Sequence, residues 1–170
     1  MSVREDSLCC APARAESNSP SIAASVQLRS KNRSTKGMIL IPGDEFLMGA
    51  QDDEGYPSDG EGPVRKVRVN PYYIDVCAVT NTLFAQFIKS TGYKTEAETF
   101  GWSFVFHSLV PPRVAETVNK AVLGAPWWWP VVGAYWRRPE GPSTNVVKRP
   151  NHPVVHVSWN DAVAYCQWAG

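Results

Sequence analysis

The chain has 170 residues, 44% of them hydrophobic and 11% aromatic, which is enough apolar material for a buried core. Seventeen basic against sixteen acidic residues leave a net charge of +1. That balance does not supply the phosphate-neutralising field of non-specific nucleic-acid binding, so no nucleic-acid partner is expected. No apolar run approaches the ~20 residues that cross a bilayer, and no membrane span is expected either.

Residues 1–37 mix Ser, Arg, Ala, Asn and Lys without an apolar period and read as a disordered leader. It is not a readable signal peptide: Glu5 and Asp6 stand where a basic n-region belongs, and no apolar h-region follows. At Met38 the character changes. MILIP, closed by Pro42 and Gly43, and FLMG after Asp44 predict a hairpin that opens the domain. Residues 50–63 are acidic and rich in Gly and Pro, which predicts a surface loop. Asp52, Asp53, Glu54 and Asp59 offer oxygen ligands for calcium but lack the EF-hand spacing, so they read as solvated. Residues 64–69 and 72–76 are β-rich runs on either side of Asn70 and Pro71.

Thr80 stands at an N-cap position, Leu83, Phe84, Phe87 and Ile88 make one helical face, and Gly92 ends the helix. After the polar TEAE segment, the aromatic run 100–106 is too dense for a solvated loop; it packs, or lines a cleft. A short helix is predicted around 115–122. Residues 125–142 hold four Trp and four Pro and predict an ordered loop, because proline interrupts every turn. Residues 154–157 are a strand candidate in which His156 faces away from Val155 and Val157. Ser158, with Asp161 three residues on, caps a closing helix whose apolar face is Ala162, Val163, Tyr165, Cys166 and Ala169. The sequence stops at Gly170, before a following element could cover that helix, so an incomplete carboxy terminus is expected. Trp159, Cys166 and Trp168 should lack packing partners, leaving the chain loose and aggregation-prone.

Taken alone, the residues carry no catalytic constellation. Cys9 and Cys10 lie in the leader, Cys77 at a strand end and Cys166 on the last helix, without C-x-x-C or Cys/His zinc spacing. His107, His152 and His156 are scattered and read as structural histidines. Asp44, Glu45, Glu96 and Glu98 are candidate acids and bases, but nothing places two of them across one cleft. No nucleophile elbow, P-loop, dinucleotide fingerprint or H-E-x-x-H occurs.

The order of the segments is more specific than any one of them. MILIPGDEFLMG, DGEGPVRKVRV, YYIDVCAVTN, TEAETFGWSFVF, APWWWPVVGAYWRRPEGP and HPVVHVSWNDAVAYCQWAG resemble the amino-terminal half of the formylglycine-generating enzymes, the sulfatase-modifying factors, from about Met38 to Gly170. The resemblance implies an α+β, loop-rich, C-type-lectin-like fold, with residues 38–170 as the amino-terminal part of the domain. Its active members reside in the endoplasmic reticulum lumen of eukaryotes. They convert the cysteine of a C-x-P-x-R motif in unfolded sulfatases to formylglycine with molecular oxygen and a copper(I) ion held by two cysteines; soft thiolates suit that ion. Those cysteines and the family's calcium sites belong to the carboxy-terminal half, so no catalytic residue, metal ligand or bound cofactor is expected here, and this chain alone should be inactive.

By the same resemblance Trp102, Ser103, Trp127 and Pro130 match the substrate-peptide groove. Trp102 replaces the acidic residue that pairs with the substrate arginine in the human-type enzyme and looks like the tryptophan of the inactive paralogue and of some bacterial enzymes. Cys166 matches a disulfide cysteine whose partner is absent, implying a buried free thiol or a mispairing risk. Cys77 replaces an aromatic and would be a core thiol, and Lys89 replaces a glycosylated asparagine. A sequon at Asn32, Arg33 and Ser34 stands in the leader, and Cys9 and Cys10 resemble leader cysteines that form intermolecular bonds. The implied partners are unfolded sulfatase polypeptide and a second copy or a paralogue. The alternative is the catalytically inactive paralogue, which binds sulfatases or the active enzyme; a lectin-like binding module without a sulfatase substrate is the third reading.

Overall fold

The computed structural model describes residues 34–52, 59–119 and 121–170. The expectations for Cys9, Cys10, Asn32, Asp53 and Glu54, and for most of the leader, lie outside the described residues. The chain divides into two compact units, Thr35–Val76 and Cys77–Gly170.

The first unit is a two-stranded ribbon of nested hairpins. β1 (Met38–Ile41) pairs antiparallel with β4 (Tyr72–Asp75), and β2 (Glu45–Met48) pairs with β3 (Arg65–Arg68). The hairpin expected between MILIP and FLMG does not form. Pro42 and Gly43 interrupt the strand without reversing it, and residues 69–71 interrupt the opposing strand over the same length, so both ladders keep one register. At this crossing Val69 N–H donates to Asp44 O at 3.1 Å. A Cβ on Gly43 would sit 2.6 Å from Val69 O, so only glycine fits.

The second unit is built on helices with legible ends. α1 (Asn81–Thr91) starts at Thr80, whose Oγ1 accepts from Leu83 N–H, and ends at left-handed Gly92. Two more first-turn N–H groups are met from a distant loop: Asn81 N–H donates to His152 O and Thr82 N–H to Pro150 O. α2 (Glu96–Phe100) begins on a capping box between Thr95 and Glu98, so the polar TEAE segment is a helix start. α4 (Trp159–Ala169) opens on the Ser158–Asp161 box. Asp161 is fully buried, and it also accepts from Tyr93 Oη at 2.9 Å and Glu96 N–H at 3.1 Å, which joins the starts of α2 and α4. Burial, with the Asp161 carboxylate beside it, holds the Tyr93 phenol well above its usual range.

α4 lies against α1. Phe84 and Phe87 are buried among Trp136, Tyr165 and Trp168, with the Phe87 and Trp168 rings 5.7 Å apart. Burying each phenylalanine stabilises the fold by about 2–3 kcal/mol. The inward face of α4 is Asp161, Ala164, Tyr165 and Trp168, one position off the expected stripe. Trp168 therefore has packing partners, whereas Trp159 is 80% exposed. Leu83 is exposed too, and Cys77 and Cys166 are exposed free thiols, not buried ones.

The remaining pieces complete the unit. β5 (Trp102–Phe106) pairs antiparallel with β6 (Trp128–Val132). A short 3-10 turn spans His107–Leu109, and α3 is Pro112–Ala115, earlier than the helix expected at 115–122. β6 lies inside the expected proline loop; Pro130 stands opposite Phe104, where a two-stranded ribbon tolerates a missing N–H. Val105, Val110, Val131 and Ala134 form a second buried cluster. No strand forms over 154–157, because His156 takes a left-handed φ of 58°. The mixture of short strands and helices is an α+β arrangement.

Candidate functional site

The aromatic run and the tryptophan loop meet as the β5–β6 ribbon, and this brings the predicted groove residues into one region. Side chains alternate along a strand, and directly paired residues share a face. Trp102, Phe104 and Phe106 therefore lie on one face, with Val132, Pro130 and Trp128 opposite them. The Trp102 and Phe104 rings meet edge to face at 5.0 Å, and Phe106 and Trp128 do so at 5.9 Å. Trp127 stands just before β6, 38% exposed, and its carbonyl accepts from His107 N–H at 2.8 Å.

Ser103 is placed differently. It belongs to the opposite face with buried Val105, and its Oγ is 2.9 Å from His156 Nδ1. Thus Trp102 and Pro130 share a face of the ribbon, Trp127 flanks it, and Ser103 points away from it. Position along a strand decided this outcome, and the alternation becomes readable once β5 is recognised as a strand.

Beside the ribbon is a cavity of about 540 Å³, lined by Phe104, Phe106 and Trp128 together with Arg149, His152 and His156. Arg149 makes a two-pronged ion pair with Glu140, Nη1 to Oε1 and Nη2 to Oε2 at 2.5 and 2.8 Å. The Arg149 hydrogen bond holds the Glu140 carboxyl below its usual range, overriding the burial that raises it. The Arg149 guanidinium is raised in turn by the same bond. Arg149 also fixes the cavity margin through its main chain, because its carbonyl accepts from Asn81 Nδ2 at 2.8 Å. Sequence reasoning passed over Glu140, Arg149 and Asn81. The sequence signal for the ion pair is weak, since nine positions separate its partners in irregular chain.

Among the described residues no group of three or more His, Cys, Asp or Glu side chains converges. Glu96 accepts from Asn160 Nδ2, and Glu98 is used by the Thr95 cap; neither acid lines the cavity. No helix among the described residues is long and apolar enough to cross a membrane.

Comparison with known proteins gives this geometry a context. Residues 23–170 match the family model of the sulfatase-modifying factor enzyme 1-like domain, a match that begins inside the stretch read as a leader. The chain is 55% identical over 151 residues to a formylglycine-generating enzyme from Thermomonospora curvata, covering 89% of this chain and 50% of the relative. It is also 55% identical over 152 residues to one from Streptomyces coelicolor, covering 89% and 48%. Against the inactive C-alpha-formylglycine-generating enzyme 2 of Bos taurus it is 47% identical over 139 residues, covering 82% and 46%. The chain spans about half the length of these curated relatives.

Proposed function

This chain belongs to the sulfatase-modifying factor family, and from that premise we propose that it serves the conversion of the cysteine of a C-x-P-x-R motif in newly made sulfatases to formylglycine. Its part is to bind the unfolded sulfatase peptide. The observation that carries this reading is the aromatic face of the β5–β6 ribbon, where Trp102 and Pro130 share a side with Phe104, Phe106 and Trp128, and these last three line a cavity wide enough for peptide side chains. An extended peptide has apolar side chains to bury and no fixed structure to lose, so a rigid aromatic platform suits it.

In this reading the oxidising chemistry comes from copper(I) and molecular oxygen, with calcium as a structural ion. Among the described residues no three His, Cys, Asp or Glu side chains converge to hold either ion, and this chain's part is peptide binding. The setting is the lumen of the secretory pathway, the architecture is C-type-lectin-like, and the chain associates with a second copy or a paralogue. Trp102 favours a second reading, in which the chain binds sulfatases without oxidising them. The 47% identity to an inactive relative supports that reading, and the higher identity to two active ones supports the first.

A fluorescent C-x-P-x-R peptide titrated with this chain should show a saturable rise in anisotropy, and Trp102→Ala should weaken it about tenfold. Absence of binding by the unsubstituted chain would sink the proposal. With copper(I) and oxygen added, mass spectrometry should find the peptide thiol intact. Aldehyde formation would show that a ligand set exists in this chain after all.

A further inference from the structure

Ser103 and His156 come from segments that the sequence reading treats separately, yet they are joined. His156 Nδ1 is 2.9 Å from Ser103 Oγ, and Nε2 is 2.7 Å from Pro139 O. A carbonyl oxygen only accepts, so Nε2 carries a proton. In the neutral ring Nδ1 is then the acceptor, and the Ser103 hydroxyl donates to it. The ring is held at both nitrogens between β5 and the turn at Pro139.

The backbone supports the same assignment. His156 has φ 58°, a region where an L-residue is held only when its surroundings require it. Glycine or asparagine satisfies such a backbone at lower strain, but glycine has no side chain and asparagine no second ring nitrogen to span Ser103 and Pro139. Burial separates the two partners: Ser103 is buried and does not line the cavity, whereas His156 is half-buried and does.

We propose that Ser103 acts on a bound peptide through His156: Ser103 is a positioning residue, and the imidazole that it holds is the group that faces the cavity. This rests on the reading that the cavity beside the β5–β6 ribbon receives the sulfatase peptide, and it reassigns Ser103 from a peptide contact to a residue one step behind the wall. Because both nitrogens are engaged, the neutral ring meets the peptide with its face and carbon edge. It lines the same cavity as Phe104, Phe106 and Trp128.

Two measurements test this on the intact chain. Nitrogen-15 spectra of the imidazole should show His156 protonated at Nε2 and bare at Nδ1. Ser103→Ala should shift the Nδ1 signal and leave Nε2 nearly unmoved. A ring protonated at Nδ1 alone, or one indifferent to Ser103→Ala, overturns the link whether or not the peptide binds. The second measurement is a double-mutant cycle on the anisotropy of the C-x-P-x-R peptide. Ser103→Ala and His156→Asn should each weaken binding about tenfold, the scale of one lost orienting hydrogen bond, and the double variant should be no weaker than His156→Asn. If Ser103→Ala weakens binding again in the His156→Asn background, Ser103 touches the peptide directly and the proposal is wrong. His156→Gly, which relieves the backbone, repeats the cycle with thermal melts of every variant, so that loss of fold is not read as loss of contact. A failure of the unsubstituted chain to bind peptide removes the peptide reading, while the ring signals still decide the Ser103–His156 link.

Discussion

The ribbon of residues 35–76 and the helical unit of 77–170 contain similar side chains and use them in opposite ways. In the ribbon Ile39, Leu40, Phe46, Leu47, Tyr73 and Ile74 are all exposed, and no described residue is buried. In the helical unit Phe84, Phe87, Val131 and Trp136 are almost completely buried, and the buried Asp161 carboxylate among them is paired, whereas the Trp136 and Trp168 indole N–H groups have no partner among the described residues. A two-stranded ladder satisfies its hydrogen bonds without covering either face. Two helices crossing over a tryptophan cover each other. Apolar composition therefore says how much core a chain could build, and connectivity says where.

That contrast can be broken or sharpened by substitution. The largest effect should come from Phe87→Ala, which removes a fully buried ring touching Tyr93, Tyr165 and Trp168. A loss of about 3–5 kcal/mol in urea unfolding of the helical unit is expected, with the ribbon's amide exchange unchanged. Asp161→Ala should follow at about 2–4 kcal/mol, since it removes a helix cap and leaves Tyr93 Oη and two backbone N–H groups unpaired. A smaller fall would mean that water replaces the carboxylate. In the ribbon, Gly43→Ala should cost about 1–3 kcal/mol locally, because its Cβ meets backbone and not a flexible side chain. Faster hydrogen exchange at the Val69 amide would report it.

Acid should act next, on the helical unit. The Glu140 carboxyl is depressed in the folded chain, mainly by its Arg149 hydrogen bond. Its contribution is present above the ordinary carboxylate pKa of about 4.5 and is lost as pH falls through the lower folded value. Both partners are partly solvated, so the drop in melting temperature should be modest. Glu140→Gln should remove this part of the pH dependence. The smallest effect is expected for Leu47→Ser, within about 0.5 kcal/mol, because Leu47 is 66% exposed. A marked loss there would show that the ribbon is covered in solution.

Local signals in the sequence were readable where structure is local. Thr80 and Gly92 bound α1, and Ser158 with Asp161 starts α4. The same capping logic was available at Thr95 and Glu98, but the aromatic run that follows carries a strand's alternation and no helical period. Strand partners were not legible. Met38 to Ile41 pair with a segment more than thirty positions away, and a nearby Pro-Gly looks like a hairpin turn whichever partner wins. β6 was hidden by Pro130, which suits a strand only when its N–H is not needed. His156 was read by alternation, a rule that presumes extended backbone, and its left-handed φ removes that premise. Of the candidate site, the aromatic members could be named from the motifs. The Glu140–Arg149 pair and the serine–histidine link depend on how loops fold back, which no spacing records.

The contact between α1 and α4 also has a consequence in time. Phe87 on the first helix is sealed by Tyr165 and Trp168 on the last, and the first turn of α1 is completed by carbonyls at 150 and 152. On a ribosome α1 emerges long before the residues that cover it, so its phenylalanines stay open until synthesis has reached Trp168. Contacts so distant along the chain slow folding, and apolar helices left waiting invite mispairing or chaperone capture. The closing turn of α4, more than any early element, sets the moment at which this core can form.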